Sequence, residues 1–199
     1  MLTLYHAPRS RSTRVIWLLE EMGAKYDLKH VSIKRPDGSG GPDKANPHPD
    51  KKVPALVHDG MLVTETTAIC LYLTDLYPDT GLGPRNGDKH RGAYLTWLAY
   101  YAGVIEPVVT IDFAGMSANP VFSRLWGNRH DMDDRILGAL KASPFILGAH
   151  FTAIDVLIAS MAQWNRDLLV DDPVVDEYLK RVGERPALQR AAAKDRLPR

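Results

Sequence analysis

An α/β domain over residues 1–80 and an all-α helical domain over residues 88–199, joined by a linker at 81–87, is the architecture this sequence predicts. Three observations carry that expectation. Residues 2–33 run strand, helix, strand, the pattern of a parallel βαβ unit. Residues 55–76 read as two short apolar strands around Asp59-Gly60, followed by a helix. After Gly81-Leu82-Gly83-Pro84 the apolar spacing is helical throughout.

Leu2 and Leu4 alternate with Thr3 and Tyr5 as a short strand that His6-Ala7-Pro8-Arg9 breaks. Val15, Leu18, Leu19 and Met22 mark the apolar face of a helix stopping at Gly23, with Ser10 or Ser12 as its cap. Residues 26–33 are expected as a second strand. Residues 34–50 hold three glycines and four prolines and read as loop, a mobile rim to any site nearby. Ala55 to His58 and Met61 to Val63 form a hairpin on Asp59-Gly60, which supplies the positive φ angles of a two-residue turn. Ile69, Tyr72, Leu73 and Leu76 then follow at helical spacing, ended by Pro78.

In the second half, Leu95, Leu98 and Ala102 begin a long segment that Pro107 is expected to kink or interrupt. Asn119-Pro120 is a cap followed by proline at the first helical position. Leu125, Met132, Ile136 and Leu140 are expected to share one face of a second long helix. Residues 144–148 connect it to a helix opened by Thr152 and Asp155, an acid three residues after a hydroxyl cap. Pro173 and Arg185-Pro186 start the last helical pieces.

Hydrophobic residues make up 45% and charged residues 25% of the 199, ordinary for a soluble globular protein. With 25 basic and 24 acidic residues the net charge is +1, so no electrostatic footprint for nucleic acid is expected. Arg185, Arg190, Arg196 and Arg199 read as a solvated basic helix face. One cysteine, Cys70, excludes an internal disulfide and suits a reducing, cytoplasmic compartment; it reads as a packed core thiol. No apolar leader and no membrane-spanning stretch are read. The seven histidines show no i,i+4 pair, so no metal site is expected.

Thr64-Glu65-Thr66 places a hydroxyl, a carboxylate and a second hydroxyl where a helix begins. Free N–H groups at a helix N-terminus beside a carboxylate can hold a group bearing both charges, such as an amino acid. The bland reading is that Val53-Pro54 is only a turn and residues 64–66 only a cap.

Lys52-Val53-Pro54-Ala55-Leu56, then Asp59-Gly60, then Thr64-Glu65-Thr66 with Ala68, Ile69, Tyr72 and Leu73, resembles the glutathione-binding half of the glutathione S-transferase family. Thr66 stands where the family usually has serine. Gly148 with Thr152 and Asp155 resembles the buried capping motif of that family's C-terminal domain. The resemblance covers nearly the whole chain, departing at residues 34–50, where the family usually has a short helix. It implies a thioredoxin-like first domain and conjugation of reduced glutathione, as co-substrate, to an apolar electrophile. It also implies a homodimer.

The same resemblance assigns roles. Val53, before a cis Pro54, would pair its main chain with the cysteinyl backbone of the tripeptide. Glu65 would hold the γ-glutamyl ammonium, and Thr66 with its helix N-terminus the carboxylate. Lys52 would meet the glycyl carboxylate, with His48 a weaker candidate. In serine-type members the thiol donor lies about four residues before an arginine of the first helix; with Arg14 in that place it is Ser10. Ser12 is the rival, and Tyr5 an outside candidate better read as strand packing. Tyr101 and Ile105, one turn apart in a cluster with Tyr94, Trp97 and Phe113, would line the electrophile pocket. A glutathione-dependent peroxidase and a non-catalytic binding module are the alternatives. The absence of a cysteine near Ser10 argues against cysteine-using reductases.

Overall fold

The computed structural model describes residues 1–196, which divide into two compact units, one formed by Met1–Tyr77 with a segment starting at Arg185, the other by Pro78–Glu184. Of the arginines read as a basic tail, Arg199 lies outside the described residues.

In the first unit, β1 (Leu2–His6), α1 (Ser12–Met22) and β2 (Tyr26–His30) form the expected parallel unit, with Leu2 opposite Tyr26 and His6 opposite His30. β3 (Ala55–His58) pairs antiparallel with β1, and β4 (Met61–Val63) with β3, giving a four-stranded mixed sheet in the order β2-β1-β3-β4. Asp59 and Gly60 take φ of 48° and 86°, the two left-handed positions of a type I′ turn. α2 (Thr66–Leu76) completes the order. β2 is shorter than expected, ending at His30, and no helix or strand lies between His30 and Ala55.

α1 ends as its sequence indicates. Gly23 is left-handed, its N–H bonds the Glu20 carbonyl, and Ala24 N–H bonds that of Leu19. At its start Arg11 is the capping residue and makes no side-chain cap bond, Ser12 is already helical, and the bond expected of Ser10 is made, its Oγ accepting Ser12 N–H at 3.2 Å. The core holds Leu4, Val15, Ile16, Leu18, Leu19, Leu56, Ile69 and Leu73, all fully buried. Cys70 is buried among them, and desolvation pushes its thiol up to about 12.

The second unit is helical: α3 (Arg91–Tyr100), a π-helical turn (Tyr101–Ile105), α4 (Glu106–Phe113), α5 (Pro120–Trp126), α6 (Arg129–Ala142), α7 (Ala153–Trp164) and α8 (Pro173–Gly183). The interruption expected at Pro107 takes the form of that wider turn. Proline has no N–H and crowds the carbonyl four residues back, and Glu106 N–H bonds the Tyr101 carbonyl five residues back. The single long helix through Leu125 and Leu140 is corrected. Gly127, at φ 80°, breaks it, and the Asn128 side chain accepts from Asp131 N–H to cap a separate α6. Leu125 is 63% exposed, whereas Met132, Ile136 and Leu140 are buried.

Thr152 and Asp155 form the expected capping box. The buried Asp155 carboxylate also accepts from Ile146 N–H at 3.0 Å and from the Tyr178 hydroxyl at 3.3 Å, tying the connector, α7 and α8 together. Desolvation pushes this carboxyl up to about 6, against the pull of those donors.

The chain then returns to the first unit as α9 (Pro186–Lys194), packed along α1. The division expected from the sequence, with a linker at 81–87 and one domain over 88–199, therefore differs at both ends. Arg185 and Arg190 are not merely solvated, since they bond Glu21 at 2.7 Å and Glu20 at 2.9 Å.

Asp155→Ala strips a buried cap and strands Ile146 N–H, and is expected to lower unfolding free energy by about 2–4 kcal/mol in urea titrations. The raised folded pKa means that the contribution of Asp155 is full below about pH 4 and lost as pH rises through about 6. The gap between parent and variant is therefore expected to be wider at pH 5 than at pH 8.

Candidate functional site

β3 places Val53. The Val53–Pro54 peptide bond is cis, Pro54 is buried, and the Val53 N–H and C=O make no hydrogen bond among the described residues. The sheet register runs Tyr5 opposite Ala55 and Leu56 opposite Val63. Both ladders stop short of Val53, because the cis bond to Pro54 precedes β3 and Thr66 is already the first residue of α2. Val53 thus offers an unpaired main-chain edge just before β3, a place where an extended peptide can add its own backbone hydrogen bonds.

At that N-terminus Glu65 is the capping residue, with φ 63° and ψ 122° and no side-chain cap bond. A glutamate in this region is strained by roughly 1–3 kcal/mol, and such strain gathers at functional sites. Its carboxylate is exposed, and Thr66 is half-buried. A negative side chain and the positive end of a helix therefore stand on adjacent residues.

The approach to Val53 is organised by Asn46, a residue the sequence reading passed over. It is fully buried; its Oδ1 accepts His48 N–H at 3.0 Å and its Nδ2 donates to the Lys52 carbonyl at 2.9 Å. Lys51, at φ 54°, donates Nζ to the Asn46 carbonyl at 2.7 Å. His48 is 5% exposed, and its Nδ1 accepts Asp50 N–H at 3.1 Å, so this ring braces the loop. Lys52 is exposed. The Asn-Pro dipeptide at 46–47 was the available signal, a turn whose side chain bonds its own backbone.

Ser10 and Ser12 sit in one buried cluster. Ser10 Oγ donates to the Ala7 carbonyl at 2.7 Å, lies 2.7 Å from Ser12 Oγ and accepts Ser12 N–H at 3.2 Å. Ser12 Oγ is 2.7 Å from His6 Nδ1 and accepts Ala7 N–H at 3.3 Å. Ser10 is 8% exposed and Ser12 not at all, so only Ser10 lies near a ligand surface. His6, also unassigned from sequence, is fully buried, and desolvation drives its pKa down to about 4, with Asp195 opposing. Its ring is neutral near pH 7. Tyr5 is held by Lys29, whose ammonium lies 5.6 Å from the ring centre, consistent with strand packing. In the second unit Tyr101 and Ile105 occupy the π-helical turn and are 2% and 1% exposed, so a small apolar molecule would reach them only after rearrangement.

Two measurements check this geometry. Glu65→Gly and Glu65→Ala remove the same carboxylate, but only glycine accepts the observed φ without strain. The glycine variant is expected to be more stable by about 1 kcal/mol in chemical denaturation. For His6, the folded pKa lies below the unfolded one, so its contribution is full above about pH 6.5 and lost as pH falls through about 4. His6→Asn, which keeps a polar side chain near Ser12, is expected to flatten the fall in stability between pH 6.5 and 4.5.

Residues 1–75 match the family model described as glutathione S-transferase, N-terminal domain. The chain is 26% identical to glutathione S-transferase 3 of Schizosaccharomyces pombe, over 98% of its own length and 88% of that protein. To glutathione S-transferase GstA of Escherichia coli O157:H7 it is also 26% identical, over 98% of both chains. A solved glutathione transferase from Methylococcus capsulatus str. Bath is similar in fold, with a TM-score of 0.75 and 28% identity over 98% of each chain. With the open Val53–Pro54 edge, the Glu65-Thr66 helix start and the buried Thr152–Asp155 cap all in place, residues 1–75 match the N-terminal domain of the glutathione S-transferase family, and the chain is similar to transferases of that family over nearly its whole length.

Proposed function

We propose that the chain binds reduced glutathione on its first unit and joins the glutathione sulfur to an apolar electrophile. The observation that carries this reading is the unpaired Val53 main chain, joined by the β3–β4 hairpin to the Glu65-Thr66 start of α2. The Glu65 carboxylate takes the γ-glutamyl ammonium, and Thr66 with its helix N-terminus takes the adjacent carboxylate. Val53 pairs with the cysteinyl backbone, and the exposed Lys52 takes the glycyl carboxylate. His48 stays a brace of that loop. In this reading the cysteinyl thiol meets the loop that carries Ser10.

A free thiol has a pKa of about 8.5, and lowering it by about two units needs about 2.7 kcal/mol of preferential stabilisation. Ser10 supplies part of that by turning its O–H from the Ala7 carbonyl to the sulfur. The move leaves no orphan, because Ser12 Oγ lies 3.4 Å from the Ala7 carbonyl and Ser12 N–H still holds Ser10 Oγ. Ser12 backs Ser10 and does not meet the sulfur. The thiol proton goes to solvent, the sulfur forms its bond to the electrophilic carbon, and the leaving group departs with its electron pair. Tyr101 and Ile105 belong to the electrophile side of this reading, since π-helical turns recur at functional sites. The reading includes a homodimer in the cytoplasm.

A second reading has a specific observation in its favour. The Ser10 proton already has a partner at 2.7 Å, as a binding module without thiol activation would have it. Ser10→Ala separates the two. Conjugation of glutathione to a chlorodinitrobenzene is expected to fall at least tenfold in kcat/KM while calorimetric glutathione affinity stays within about twofold. Unchanged conjugation and unchanged peroxide reduction would remove Ser10 from the mechanism. No glutathione binding at millimolar concentration would remove the enzymatic reading altogether.

A further inference from the structure

Asp195 is the C-terminal capping residue of α9, a position where the exposed carbonyls of the helix repel a carboxylate. It is set there by α9, which is anchored on α1 by Arg185 on Glu21 and by Arg190 and Lys194 on Glu20. The two helices run so that the end of α9 reaches the start of α1. There Asp195 accepts Arg9 N–H at 3.1 and 3.2 Å and the Thr13 hydroxyl at 2.5 Å, and it lies 3.4 Å from His6 Nε2. The carboxylate that α9 disfavours is thus held by the positive end of α1. Its side chain is 18% exposed.

Arg9 and Thr13 bracket Ser10, and His6 holds Ser12, the hydroxyl that backs Ser10. Asp195 bonds Arg9 and Thr13, and it lies 3.4 Å from His6 Nε2. Arg9 takes a left-handed φ of 55° without being glycine, so its conformation needs outside support. The bond from its N–H to Asp195 gives that support immediately before Ser10.

We propose that Asp195 is a positioning residue for thiol activation: the last turn of α9 clamps the loop that carries Ser10 and sets the direction of its hydroxyl. This rests on Ser10 being the thiol donor, as read above. The sign of the effect separates positioning from charge. A carboxylate acting only through its field would disfavour a nearby thiolate, so its removal would lower the thiol pKa. A carboxylate that holds the donor in place favours the thiolate, so its removal raises that pKa. The other charged or titratable groups facing His6 are His30 and Arg35, and both stay in place in the variants.

The test follows thiolate absorbance of the glutathione complex against pH, with glutathione affinity by calorimetry and melting temperature measured alongside. Asp195→Ala is expected to raise the apparent pKa of the bound thiol by about one unit, cutting the thiolate fraction below that pKa about tenfold. Glutathione affinity is expected to stay within about twofold, because Val53, Glu65 and Thr66 are untouched. Asp195→Glu should recover part of the shift. Asp195→Asn keeps the side-chain shape and is expected to move the thiol in the same direction by a smaller amount, which serves if the alanine variant does not fold. A thiol pKa that stays put or falls in the Asp195 variants, while Ser10→Ala raises it, overturns the proposal and leaves Ser10 as donor. A pKa unmoved by Ser10→Ala overturns the Ser10 reading and this proposal with it.

Discussion

Glu20 is the carboxylate on which the first unit depends. It is 9% exposed on α1 and accepts from Tyr26 of β2, from Arg190 and from Lys194 of α9. Burial alone would push its carboxyl up, but those donors outweigh burial and hold it below the usual range. A buried charge left unpaired is expensive, so β2, α1 and α9 are bound to one another through this group. α1 can then bury apolar side chains on nearly every side: Val15, Ile16, Trp17, Leu18 and Leu19 are consecutive and all buried, a pattern a single covered face would not explain. With α1 held, its first turn and the loop before it have a firm base, and the serine cluster stands on that base.

Local chemistry was legible in the sequence. The Asp59-Gly60 hairpin, the Gly23 stop, the Asn119-Pro120 start and the Thr152–Asp155 box each depend on residues within a few positions of one another, and each formed. The misreadings are of another kind. Leu125 and Met132 are seven residues apart, a spacing that one helix or two would show equally, so the break at Gly127-Asn128 was hidden by its own periodicity. The return of α9 to the first unit depends on Arg185 and Arg190 meeting glutamates more than 160 positions earlier. No short-range pattern records that. At the proposed site, Glu65, Thr66 and Val53 can be singled out from sequence because they sit in one ordered stretch. Asn46 and His6 were not, because their value lies in the backbone groups and hydroxyls they meet only after folding.

Three non-glycine residues with left-handed backbone flank the proposed glutathione surface: Arg9, Lys51 and Glu65. At two of them the structure shows what holds the backbone. Arg9 N–H is bonded by Asp195, and the Lys51 ammonium is bonded to the Asn46 carbonyl. Glu65 has no such side-chain bond and is constrained by the β4–α2 junction itself. Positive φ at non-glycine residues thus recurs around the proposed ligand surface, the kind of local strain that gathers at functional sites.

The assignment of α9 to the first unit gives the order of synthesis a physical meaning. Domains generally fold as units as they are made, N-terminal first. This first unit cannot do so in full, because one cover of α1 is encoded after the whole of the second unit. Until residue 185 and its successors are made, Glu20 and Glu21 lack their arginine partners and an apolar flank of α1 stays open. The nascent chain therefore carries an unfinished first unit while the whole second unit is made, and closes it only with α9.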